Sequence, residues 1–91
     1  MTLHLVFSSP FNSNALKECL ACVAPTDGIL FLEDGVYANQ HSQDLTSQNE
    51  LYMLHEDCIA RGLEANASFQ TINYDDFVAL TLKYSKTVSW R

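Results

Sequence analysis

A chain of 91 residues, 47% of them apolar and with a formal net charge of −6, has room for one modest core and little attraction for a phosphate backbone. Its five cations, Lys17, Arg61, Lys83, Lys86 and Arg91, are scattered along the sequence, so direct nucleic-acid binding is not expected, and any basic surface must come from another chain. Residues Met1 to Phe11 lack a cationic lead and hold only a few consecutive apolar positions, which argues against a signal peptide or membrane span and makes the cytoplasm the default location.

Leu3 to Phe7 reads as a first strand, ended by Ser8-Ser9-Pro10 because proline cannot donate to a ladder. Leu16, Cys19, Leu20 and Val23 then recur at helical spacing on one stripe, and Pro25-Thr26-Asp27-Gly28 closes the segment with turn residues. Ile29 to Leu32 is a second strand, and its apolar run stops abruptly at Glu33-Asp34-Gly35. That is how a parallel strand covered on both faces ends, and such sheets place functional groups just beyond the strands' carboxyl ends. Val36 to Gln40 is a short helix, and the polar stretch His41 to Asn49, without useful periodicity, is expected to be a mobile loop.

Leu51 to Leu54 is a third strand, and His55 to Gly62 a short helix with acids at its positive end and a glycine stop. Phe69 to Ile72 is a fourth strand. Asn73 is placed to cap the last helix, Asp75 and Asp76 favour its dipole, and Phe77, Leu80, Thr81 and Tyr84 line one face. Lys83 and Lys86 lie near the helix's negative end, and Thr87 to Trp90 is extended, a short fifth strand. The expectation is one domain over residues 1–91, a three-layer α/β/α fold with a mostly parallel sheet of four to five strands. So thin a core, burying roughly 60–65% of the unfolded chain's surface, predicts an oligomer.

Several residues suggest chemistry. Glu33 with Asp34, and Glu56 with Asp57, could act as acid/base pairs at strand ends, but neighbouring strand residues diverge, and acids opening a helix are explained by its dipole. Cys19-Leu20-Ala21-Cys22 is formally a CxxC, yet it lies inside a helix instead of at the N-terminus that lowers a thiol pKa. Cys19, Cys22, His55 and Cys58 are spread over two helices and are not expected to converge on zinc, so neither a metal nor another cofactor is predicted. Three cysteines without a secretory signal read as reduced thiols.

Gly35 lacks the glycine spacing and lysine of a phosphate loop and suits a tight turn. His4, alternating with apolar neighbours, reads as a satisfied core or interface residue, His41 needs no special account, and Trp90 suits either core closure or a subunit contact. A small-ligand module at the strand ends near Ser8, Asp34 and His55 is a further reading.

Ser9-Pro10-Phe11, Asp34-Gly35-Val36-Tyr37, Glu56-Asp57 with Ala60-Arg61-Gly62-Leu63, and Tyr74-Asp75-x-Phe77-Val78-x-Leu80-Thr81 ending in Ser89-Trp90 together resemble the TusB/DsrH family across nearly the whole chain. The resemblance implies a DsrE/F/H-like fold and a hetero-oligomer with homologous TusC- and TusD-like subunits that relays sulfur as cysteine persulfide. In the TusB branch that relay ends in 2-thiolation of tRNA wobble uridine, with the sulfur carried by a cysteine of TusD, so this chain would be a non-catalytic subunit, self-associating if its partners are absent. Asn14-Ala15-Leu16-Lys17-Glu18-Cys19-Leu20 reproduces a DsrH-branch pattern, however, and makes Cys19 the persulfide candidate of a sulfur carrier in sulfur oxidation. No family role transfers to Cys58.

Overall fold

In the computed structural model, which describes residues 1–44 and 49–91, five strands form one sheet in the order β4-β3-β2-β1-β5. They are β1 (Thr2–Val6), β2 (Gly28–Phe31), β3 (Glu50–Leu54), β4 (Gln70–Ile72) and β5 (Lys86–Trp90), with helices α1 (Ala15–Cys22), α2 (His55–Ala60) and α3 (Tyr74–Lys83) and a 3-10 segment, Glu33–Asp44, between β2 and β3. Every pairing is parallel, with Leu5 opposite both Leu30 and Ser89, and Leu30 opposite Tyr52.

Strands β1 to β4 step in one direction, so right-handed crossovers put α1, the 3-10 segment and α2 on the same face, while the return from β4 to β5 carries α3 over the other. The core divides accordingly. Ile29, Phe31 and Met53 pack with Leu16 and Cys19 of α1, Val36 of the 3-10 segment and Cys58 of α2, whereas Leu30, Tyr52 and Leu54 pack with Tyr84, Phe77 and Leu80. This alternation of β2 between two apolar layers explains its unbroken hydrophobic run.

The local signals work as their chemistry requires. Asn73 caps α3 through Oδ1, which accepts from Asp76 N at 2.8 Å. At the end of α2, Gly62 takes φ +66, Gly62 N donates to Ile59 O at 3.1 Å and Leu63 N to Cys58 O at 2.8 Å, the paired bonds of a Schellman motif. One expectation changes. Helical structure after β2 begins at Glu33 and continues to Asp44, beyond the expected Val36 to Gln40 helix, and of the expected 41–49 loop, residues 45–48 lie outside the described residues. Within α3 no residue is fully buried, because Phe77, Leu80 and Thr81 are only half covered. No helix among the described residues is long and apolar enough to cross a membrane.

Candidate functional site

The motif residues gather at the carboxyl ends of the strands. β1 stops at Val6, whose carbonyl accepts from Leu32 N at 3.1 Å, and the chain then turns so that Gly35 N donates to Leu32 O at 2.9 Å. This turn lays Gly35 against the end of β1, where a methyl group on its Cα would overlap the Val6 carbonyl oxygen. Glycine is therefore required here for close backbone approach and not for phosphate binding. Ser9, Phe11, Asn12, Asp34 and Tyr37 line a shallow open depression of about 310 Å³ beside this turn.

The acids of both candidate pairs meet across the fold, though not as pairs. Arg61 Nε and Nη2 each lie 3.0 Å from Asp34 Oδ1, and Arg61 Nη1 is 3.7 Å from Asp57 Oδ1. Asp57 Oδ2 accepts from Glu33 N at 2.6 Å, which holds Glu33 in the left-handed region at φ +52, an uncommon conformation for a residue with a side chain. Glu56 leaves the cluster, its Oε2 accepting from Tyr74 N at 3.3 Å where α3 begins. One guanidinium between two carboxylates offsets only one of their two negative charges, and the Asp34 side chain is 60% exposed. The arrangement orders the turn at the end of β2.

The cysteines fare differently from one another. Cys19 is fully buried on the inner face of α1, and burial, then the nearby Cys22 thiol and Asp27 carboxylate, push its pKa up to about 12. Cys22 is exposed at the end of α1. Cys58 is buried on α2, its pKa raised by desolvation and by Asp57, against a lowering contribution from Arg61. Among the described residues no group of three or more metal-ligating side chains converges. Asp34 and His55 line different depressions, His55 sharing one of about 600 Å³ with Cys58, Ile59, Leu63 and Thr71, so the residues named for a small-ligand module do not enclose one site.

A second polar cluster lies inside the sheet. Trp90 Nε1 donates to His4 Nδ1 at 3.0 Å, leaving His4 Nε2, 3.0 Å from Asp27 Oδ2, to carry the ring proton. Asp27 also accepts from Thr2 N at 2.9 Å and Ala24 N at 3.0 Å. Burial favours the protonated carboxyl, but the hydrogen bonds from His4, Ala24 and Thr2 outweigh it and hold the Asp27 pKa down at about 2. His4 is thus a satisfied buried residue, and half-buried Trp90 packs on the core while tying β5 to β1. Neither the Arg61 bridge nor Asp27 stands out in sequence, though the joint presence of Asp34-Gly35 and Glu56-Asp57-x-x-Ala60-Arg61 was a usable signal for the first.

The geometry therefore defines an α/β protein with a parallel sheet, an ordered turn at its carboxyl end and buried thiols at Cys19 and Cys58. The chain belongs to the DsrH family, whose description is "DsrH like protein" and which matches residues 8–87. Among curated relatives it is 40% identical to Protein TusB of Yersinia enterocolitica, 37% to Protein TusB of Buchnera aphidicola and 36% to Protein TusB of Escherichia coli, each match covering 97% of this chain and 99% of the relative.

Proposed function

We propose that this protein is a non-catalytic subunit of a sulfur-relay complex, assembled with homologous TusC- and TusD-like subunits and serving 2-thiolation of tRNA wobble uridine. The observation that carries this reading is the state of Cys19. Persulfide transfer needs a thiolate that attacks the outer sulfur of a donor persulfide and expels the donor's thiolate. A thiol with no exposed surface and a pKa near 12 supplies neither the anion nor the approach. The family motifs are spent on architecture, Gly35 on close packing and Asp34, Asp57 and Arg61 on ordering the strand-end turn. The net charge of −6 fits a subunit that leaves tRNA contact to its neighbours.

The test is the intact mass of wild-type protein and Cys19→Ala after exposure to a cysteine desulfurase and its substrate, alone and with the partner subunits. The expected result is sulfur on a partner and no added sulfur on this chain. A gain of one sulfur that disappears in Cys19→Ala would instead make the chain a DsrH-type carrier using Cys19.

A further inference from the structure

The two ring nitrogens of His4 are both satisfied only while the ring is neutral. The residue is 4% exposed and stacks on Trp90 with ring centroids 6.1 Å apart. Its Nδ1 accepts from Trp90 Nε1, and its Nε2 donates to Asp27, each bond 3.0 Å long. A second proton can go only to Nδ1, which would leave two N–H groups pointed at each other across 3.0 Å. The imidazolium itself has a counter-charge in place, because the buried Asp27 carboxylate already lies 3.0 Å from Nε2. Opposite charges strengthen that contact, so the bond to Trp90 is the one that gives.

We infer that His4 is a proton-operated latch on β5: the neutral ring holds Trp90 in the sheet, and a second proton releases the indole and with it the carboxyl end of the strand. The surroundings of the ring leave the switching to that one bond. Asp27 faces it from the turn before β2, and Ile29 of β2 and Val88 of β5 lie opposite it in register. Helix α1 brings Cys19 into the same layer, a thiol that burial keeps uncharged. The cations of this edge stand at the two ends of β5, Lys86 opposite Thr2 and Arg91 over the Phe7 ring. β5 is easily loosened, since Lys86 to Ser89 are exposed, Trp90 alone is half covered, and the strand lies at the sheet edge beside β1. Trp90 pairs with Val6, against whose carbonyl Gly35 packs, so the end that opens adjoins the strand-end turn. The latch is closed at pH 8 and opens as the pH falls toward 5, the interval in which histidine side chains change charge. Asp27 takes up its own proton only at lower pH, its pKa being about 2. By linkage, a partner that grips the released strand would draw a proton onto His4, and one that presses Trp90 into the sheet would expel it. The device stands apart from the sulfur-relay reading, since it requires no reactive cysteine.

The experiment follows Trp90, the one tryptophan of the 91-residue chain, by its fluorescence from pH 8 to 5, with amide-exchange protection factors measured along the strands. The wild type should show emission moving to longer wavelength on acidification, as the indole meets water. Protection in β5 should fall about tenfold or more while β2 and β3 hold theirs. His4→Gln should abolish the pH dependence, and the double variant His41→Gln, His55→Gln should retain it. Trp90→Phe lacks the indole donor, so its β5 protection should already be low at the alkaline end and stay level, a test that stands even if His4→Gln fails to fold. A wild type flat over this range, or a transition that survives His4→Gln, would overturn the inference. So would an emission shift without loss of β5 protection, or pH-dependent β5 protection in Trp90→Phe.

Discussion

At the residue scale, Gly35 and Asp27 hold positions set by their immediate neighbours, the Val6 carbonyl and the donors Thr2 N, Ala24 N and His4 Nε2. Gly35→Ala sets a methyl group into the Val6 carbonyl at the end of β1, a backbone atom that cannot swing away as a flexible side chain would. The variant is expected to lose about 2 kcal/mol or more in urea unfolding, through displacement of the turn that carries Asp34. The Asp27 carboxylate is held below its ordinary pKa of 3.8, at about 2, so the folded state binds its proton more weakly than the unfolded chain does. Its contribution to stability is therefore complete above about pH 4 and is lost as the pH falls from there through about 2. Asp27→Asn should be less stable at neutral pH and show a flatter decline between pH 4 and 2, measured as the urea midpoint against pH. A wild-type decline that the substitution leaves unchanged would assign the acid sensitivity to another carboxylate.

At the scale of the elements, one helix end, one strand edge and one turn are held by identifiable bonds. Asn73→Ala removes the acceptor of Asp76 N and should cost about 1 kcal/mol, read as a lower thermal midpoint and faster amide exchange in the first turn of α3. Trp90→Phe keeps the aromatic bulk beside His4 but deletes the indole donor, leaving His4 Nδ1 without its partner. A loss of about 1–3 kcal/mol is expected, with exchange rising first along β5, which lies at the edge of the sheet beside β1. The Arg61 bridge behaves differently. With Asp34 largely exposed, Arg61→Ala should change global stability by less than about 1 kcal/mol while loosening the turn at Glu33, visible as faster amide exchange there.

At the scale of the whole molecule, the sheet is unevenly clothed. One face is covered by α1, the 3-10 segment and α2, the other chiefly by α3, none of whose residues is fully buried. The sequence-based expectation of a thin core finished by a partner rests on the same physics. A short α/β chain has too few helices to cover both faces of five strands, and its apolar surplus appears where coverage is poorest. The exposed stripe on α3 is that surplus, and Leu82→Glu on it should cost the isolated fold little.

By itself the sequence determined the strands and the helices α1, α2 and α3 with their stops, though not the extent of the 3-10 segment after β2. Those depend on neighbours in the chain, such as the unbroken apolar run at Ile29 to Leu32, the helical stripe from Leu16 to Val23, Asn73 before its acids and Gly62 after Ala60. It also put Cys19 on the buried stripe of its helix. Only the tertiary structure decided that Arg61 reaches Asp34, 27 positions away, and that Trp90 bonds to His4, 86 positions away. It also decided that α3 keeps a second apolar face in the open. Periodicity tells a side chain which way to face but not what it will meet, since the meeting depends on strand order and on how many layers one short chain can supply.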